Sequence, residues 1–192
     1  ALNASLVPAW LRLRETEGAA AAAAFAGSVL GTVGAALVAA AALIGLVMPL
    51  VMAALAPGFA GTATLQIAVD DGRLMLPYLA FAGPVAVMMA LLNAQGRFAL
   101  TAFSPLLFNI ALIAVMAALL VWRQDAGFAA LAVAATVGLA GLLQLLILVS
   151  HGGGIATPLR ISFDSQMRGF LGKAVPGMIG GAGPQSLSLG GA

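Results

Sequence analysis

Residues 19–56, AAAAAAFAGSVLGTVGAALVAAAALIGLVMPLVMAALA, decide the fold of this 192-residue chain. The stretch has no charged side chain, and as one α-helix it would extend about 55 Å at about 1.5 Å per residue. The hydrocarbon core of a bilayer is about 30 Å thick, so this run is long enough to cross it. The stretch predicts a membrane-spanning helix with a kink near Pro49, where the backbone N–H is missing.

The composition of the whole chain also indicates that a lipid bilayer surrounds it. Hydrophobic residues make up 62% of the sequence, charged residues 7%, and the mean hydropathy is +1.12. A soluble domain of this size could not bury so much apolar surface. The runs are apolar on every face, whereas strands of a membrane barrel alternate apolar and polar residues. We therefore predict an all-α fold, a polytopic bundle of transmembrane helices with about five spans.

Polar segments divide the chain into these spans. The predicted organisation is the end of a helix at 1–10, spans at 19–56, 74–92, 99–122 and 128–149, and an incomplete span at 170–192. A charged loop is predicted at 11–18 and polar connections at 60–73 and 150–170. Since the chain opens with Ala and ends inside an apolar run, we expect it to be part of a longer protein.

Small and acidic residues add two local predictions. Gly27, Gly31 and Ala35 recur every four residues in the first span, a spacing that allows close approach of a neighbouring helix. Asp70 and Asp71 are adjacent, so on a helix they would point about 100° apart and could not act as a catalytic pair. We interpret the two carboxylates as an external loop or a helix cap.

Basic residues decide how often residues 19–56 cross the membrane. If a hairpin near Gly31 and Gly34 made them cross twice, the basic residues would divide four to four. A single crossing places six on one side: Arg12, Arg14, Arg97, Arg160, Arg168 and Lys173. Arg73 and Arg123 then lie opposite. The single crossing is favoured, and the six-charge side is cytoplasmic by the positive-inside rule.

The polar island LLNAQGRFAL, residues 91–100, then forms a cytoplasmic hairpin. Asn93 and Arg97 lie in it, and together with Arg12 and Arg14 they are predicted to set topology at the membrane interface. A contact to a lipid phosphate or a role as a cavity cation are the alternatives for Arg97.

Polar residues inside the spans are candidates for a substrate cavity. Asn109 is costly in a span unless it bonds a neighbouring helix or lines water, and these two roles stay open. Gln185, Ser186 and Ser188 follow Pro184 in the last run, where two prolines should loosen the helix as in the broken helices of transporters. These four residues are the predicted cavity candidates.

The sequence lacks the residue patterns that several kinds of functional site require. HGGG at 151–154 is similar to an esterase oxyanion loop, but the chain has no GxSxG motif and no second His. It has no Cys, and no His and carboxylate pattern suggests a metal or cofactor site. The few scattered basic residues exclude a nucleic-acid footprint. We expect neither an enzyme, nor a cofactor, nor a nucleic-acid partner.

A series of short motifs resembles one family. The pieces, in order, are SLVPAW at 5–10, APGF at 56–59, RLMLPYLAF at 73–81, ALLNAQGRFALTAFSPLLFNI at 90–110 and PLRISFD at 158–164. They resemble the MurJ/MviN family of lipid II flippases, within the multidrug/oligosaccharidyl-lipid/polysaccharide exporter superfamily. The resemblance covers essentially the whole chain, from the end of that family's second helix through most of its seventh.

The resemblance implies a function as well as a fold. It implies part of the N-terminal lobe of a fourteen-helix transporter in the bacterial inner membrane, which moves lipid II, the undecaprenyl-pyrophosphate-linked disaccharide-pentapeptide, by alternating access among membrane lipids. The family's main cavity arginines lie in helices outside this chain, so no residue here inherits their role. The alternatives are a related exporter of drugs or of another lipid-linked oligosaccharide, and a structural membrane remnant that transports nothing.

Overall fold

The computed structural model describes residues 2–165 and 167–172, and this part of the chain is helical without any strand. The predicted all-α fold is confirmed. The helices are α1 (Leu2–Thr16), α2 (Ala19–Leu55), α3 (Ala63–Ala94), α4 (Phe98–Val121) and α5 (Ala126–His151). A single 3₁₀ turn, Pro57–Phe59, links α2 to α3, and helical backbone resumes at 165 and 167–172.

Four helices of the described chain, α2 to α5, are long and apolar enough to cross a membrane. α2 runs unbroken for 37 residues through Gly31, Gly34 and Pro49, as the single crossing requires. The fifth predicted span, 170–192, falls mainly outside the described residues.

Two polar segments that we predicted as connections are helical. α1 continues through the charged residues to Thr16, and α3 begins at Ala63, so Asp70 and Asp71 lie in a helix and neither in a loop nor at a cap. The prediction was wrong because polarity ends a membrane span but not a helix. Water solvates the side chains while the backbone keeps its own hydrogen bonds, and no proline interrupts either segment.

α3 is the central helix, with α2 and α5 packed along it and α4 resting mainly on α5. Glycines allow this closeness. A Cβ at Gly138 of α5 would lie 2.6 Å from the carbonyl oxygen of Leu74, and one at Gly83 of α3 would overlap the side chain of Leu37. Small residues let backbones approach in a bilayer, where dispersion replaces the hydrophobic effect as the force between helices.

The glycine stripe of α2 receives an extended segment rather than a helix. Residues 157–163 follow α5 and cross α2 so closely that a Cβ at Gly27 would overlap the carbonyl oxygen of Pro158, and one at Gly31 would lie 2.5 Å from that of Arg160. The Thr32 hydroxyl donates to the Ser162 carbonyl at 3.2 Å and accepts from the Ser162 amide at 3.1 Å. Spacing correctly predicted a close contact at these two glycines, but the partner was wrong.

Pro49 leaves one carbonyl of α2 without its helical donor, and an arginine supplies the replacement. Proline has no N–H for the carbonyl four residues earlier, which belongs to Gly45. Arg73 of α3 donates from Nε to this oxygen at 3.0 Å, and its Nη1 lies 3.9 Å from Asp70. Arg73 therefore links α2 to α3 in addition to the topological role predicted for its charge.

Gly27→Ala should destabilise the chain, because its methyl group would meet backbone atoms that cannot rotate away. Overpacking of this kind costs about 1–3 kcal/mol. Gly34→Ala is the matched control on the same helix, since its Cβ would lie 3.4 Å from Pro84 Cγ. Thermal unfolding in detergent measures both variants, and equal midpoints would contradict the docking of 157–163 on α2.

Arg73→Ala should cost on the order of 1 kcal/mol in the presence of Pro49 and less in a Pro49→Ala background, where the helix supplies its own N–H. Unfolding of the four combinations by denaturant gives the coupling between the two residues. Arg123→Asn is the control, because Arg123 has a positive φ of 48° that Asn tolerates. Additive effects of the two substitutions would show that Arg73 does not serve the freed carbonyl.

Candidate functional site

A polar recess opens between α3, α4 and α5, with a volume of about 260 Å³. The ring of Tyr78 on α3 packs on Phe108 of α4 with centroids 5.2 Å apart. Asn109 of α4 and Gln144 of α5 complete its polar lining. The recess thus places a phenol and two amides among apolar side chains of three spans.

Gln144 is the buried polar residue of this lining, and Ser104 lies buried behind it on α4. Gln144 is 6% exposed and donates from Nε2 to the carbonyl oxygen of Ser104 at 2.6 Å. The Ser104 hydroxyl oxygen is buried and has no hydrogen-bond partner in the described part of the chain. Neither residue was predicted from the sequence, although a glutamine inside an apolar span indicates a polar contact or a cavity.

Asn109 lies at the surface of the bundle at membrane depth. It is the twelfth residue of α4, about 16 Å from the first, and so lies close to half of a hydrocarbon core about 30 Å thick. Its side chain is exposed and makes no hydrogen bond among the residues described. An exposed amide at this depth requires either water or a polar partner.

The hairpin of residues 91–100 joins the ends of three helices. Arg97 donates from Nη1 to the carbonyl oxygen of His151, the last residue of α5. A cation at a helix C-terminus also interacts favourably with the helix dipole. The Thr101 hydroxyl donates to Asn93 Oδ1 at 2.6 Å, and Gly96 takes the positive φ of 76° that the turn requires. Asn93 and Arg97 are therefore brought together with α5.

Arg12 and Arg14 lie apart from this hairpin, in the last turns of α1. The guanidinium carbon of Arg14 is 5.2 Å from the ring centroid of Trp10, a cation–π distance. Arg12 lines a separate cavity of about 350 Å³ between α1, α2 and the residues Ser165, Gly169 and Phe170. Both side chains are exposed.

Three of the predicted cavity residues, Gln185, Ser186 and Ser188, lie outside the described residues. The His151 ring Nδ1 lies 2.9 Å from the Ile147 carbonyl oxygen and 3.1 Å from the Ser150 hydroxyl oxygen, both on its own helix. Within the described ranges no three His, Asp or Glu side chains cluster closely enough to hold a metal ion.

Four apolar helices with amides and a hydroxyl at membrane depth define a polytopic helical membrane protein. The chain belongs to the lipid II flippase MurJ family, whose family model matches residues 1–189.

Two curated relatives are similar over much of this chain. The probable lipid II flippase MurJ of Rhizobium tropici is 30% identical over 187 residues, covering 94% of this chain and 35% of the relative. The probable lipid II flippase MurJ of Rhizobium meliloti (strain 1021) is 34% identical over 149 residues, covering 77% of this chain and 28% of the relative. The chain thus spans about a third of the length of the relatives it matches.

Arg97→Ala should lower stability and disturb the orientation of α3, α4 and α5 more than it lowers affinity for a substrate. The substitution removes both a positive charge and the hydrogen bond at the end of α5. Protein level and accessibility of a cysteine placed at Gln95 to a membrane-impermeant reagent measure the effect. Arg14→Ala, which removes a charge of the same side but no hydrogen bond between helices, is the control. Normal level and orientation with lost substrate binding would assign Arg97 to the site instead.

Proposed function

We propose that this chain forms part of a lipid II flippase in the bacterial inner membrane, and that the protein is a transporter rather than an enzyme. The observation that carries the proposal is the MurJ family match over residues 1–189. The two Rhizobium relatives, each named as a probable lipid II flippase MurJ, support it.

The recess between α3, α4 and α5 is proposed to face the path of the substrate head group. Lipid II combines a long hydrocarbon tail with a pyrophosphate, a disaccharide and a pentapeptide, so its polar part needs hydrogen-bonding groups while it crosses hydrocarbon. Asn109 is exposed, has no hydrogen-bond partner in the described residues and offers such a group, whereas Gln144 is already engaged with α4. Alternating access would expose the Asn109 amide to each side in turn.

The charge distribution supports different roles for α2 to α5 and for the other helices of the transporter. The side chains that line the recess include a phenol and two amides but no cation, so the recess by itself does not neutralise a pyrophosphate. We propose that cations for the pyrophosphate come from other helices of the transporter, and that α2 to α5 supply framework and polar contacts for the sugars or peptide. A drug exporter, an exporter of another lipid-linked oligosaccharide and a structural remnant are the competing outcomes.

Depletion of the native protein tests the assignment. Lipid II should accumulate in the inner leaflet and disappear from the outer leaflet, where an externally added lipid II-cleaving enzyme measures it. Unchanged outer lipid II in a strain without a second flippase would reject the proposal. Selective loss of drug resistance, or of another surface polysaccharide, would support one of the other exporters.

Asn109→Leu should lower lipid II translocation roughly five- to tenfold at unchanged protein level, as expected for one lost hydrogen bond of about 1 kcal/mol or slightly more. Thr136→Val is the matched control, because the Thr136 hydroxyl bonds only its own helix, at the Ala132 carbonyl. Complementation of the depleted strain with each variant gives the comparison. Equal translocation by both variants would remove Asn109 from the substrate path.

A further inference from the structure

Three polar groups in the lining of the recess between α3, α4 and α5 have no hydrogen-bond partner in the described part of the chain. They are the Tyr78 hydroxyl, the Asn109 amide and the Oε1 atom of Gln144. We propose that these groups bind one sugar ring of the lipid II head group, and neither its pyrophosphate nor its peptide. The sugar subsite rests on the lipid II transport proposed above and narrows it to one part of that substrate.

Gln144 decides what kind of group the recess accepts. Its side chain is 6% exposed, and its Nε2 donates to the Ser104 carbonyl oxygen at 2.6 Å. Because that carbonyl can only accept, it fixes the orientation of the amide and leaves the other end, the acceptor Oε1, without a donor in the described residues. An acceptor in so buried a side chain is costly unless a donor reaches it. The occupant of the recess must therefore donate a hydrogen bond to Gln144.

Ionised groups do not meet this requirement. Phosphate and carboxylate oxygens only accept hydrogen bonds, so they would place a second acceptor against the Oε1 atom of Gln144. They also need cations when they leave water, and among the described residues no charged side chain lines the recess. These two conditions exclude the pyrophosphate and the free carboxylate end of the peptide. Sugar hydroxyls are suitable because each can donate and accept at the same time.

The size and the aromatic wall of the recess favour a single ring. Pockets for drug-sized ligands hold about 300–1,000 Å³, whereas the recess holds about 260 Å³. Tyr78 and Phe108 form its aromatic wall, with ring centroids 5.2 Å apart and planes tilted by 45°. The carbon–hydrogen face of a sugar ring is apolar and suits such a wall, while the ring hydroxyls reach the three polar groups. An extended peptide would instead need partners for backbone groups along its whole length.

Three lipids with the same hydrocarbon tail and pyrophosphate separate the sugars from the rest of the head group. They are lipid II, the same molecule without its peptide, and undecaprenyl pyrophosphate, which carries neither sugar nor peptide. Equilibrium binding of each radiolabelled lipid would be measured with the purified full-length transporter and with its Tyr78→Phe variant. The substitution keeps the aromatic ring and removes a hydroxyl that has no partner in the described residues, so folding should not change. Thr136→Val, which removes a hydroxyl bonded within its own helix, is the matched control.

We expect Tyr78→Phe to weaken binding of lipid II and of the peptide-free lipid by the same factor, roughly three- to tenfold, and to leave binding of undecaprenyl pyrophosphate unchanged. Asn109→Leu should show the same selectivity. Equal loss for all three lipids would overturn the sugar subsite, and so would loss confined to lipid II, which would indicate the peptide. Unchanged binding of every lipid would also overturn it, because the recess would then hold only water. These outcomes leave lipid II binding by the wild-type protein intact, whereas its absence would reject the proposed flippase function itself.

Discussion

The hydrocarbon core offers no water to a backbone amide or carbonyl, and the structure of this chain depends on that constraint. Helices satisfy it within each span, and α2 to α5 show the result. Where a proline removes a backbone N–H from a helix, another donor must bind the carbonyl that is left without its hydrogen bond. At Pro49 the donor is Arg73, which lies in the first half of α3 and donates to the Gly45 carbonyl oxygen at 3.0 Å. A charge that was counted as a topological signal in the sequence thus also supplies the hydrogen bond that Pro49 removes.

Glycine makes the close packing of the helices possible. Without Cβ atoms at Gly138 and Gly83, the helices α5 and α2 come close enough to α3 for dispersion to hold them. The same absence at Gly27 and Gly31 admits the extended segment 157–163, whose polar backbone binds Thr32. A stripe of small residues therefore predicts a close neighbour, but a helix and an extended chain fit the stripe equally well.

The candidate site was predictable only in part. Asn109 stood out because an amide in an apolar run is unusual, and the structure shows it exposed beside the recess. Gln144 and Ser104 were overlooked although they meet across α4 and α5, since residues 40 positions apart give no local pattern. Asn93 and Arg97 were expected to work as charges and polar groups of a turn. Their hydrogen bonds to Thr101 and to the end of α5 depend on how three helices converge.

The sequence by itself determined the solvent, the helical class and the family, because hydropathy, run length and short motifs are local properties. The basic residues also predicted an orientation, since charge is counted without knowledge of packing. Only the tertiary structure decided that the charged ends of α1 and α3 are helical, that Arg73 serves Pro49 and that the stripe on α2 receives residues 157–163. These outcomes depend on which backbone groups meet across large separations in the chain, where hydrogen bonding and close packing act together.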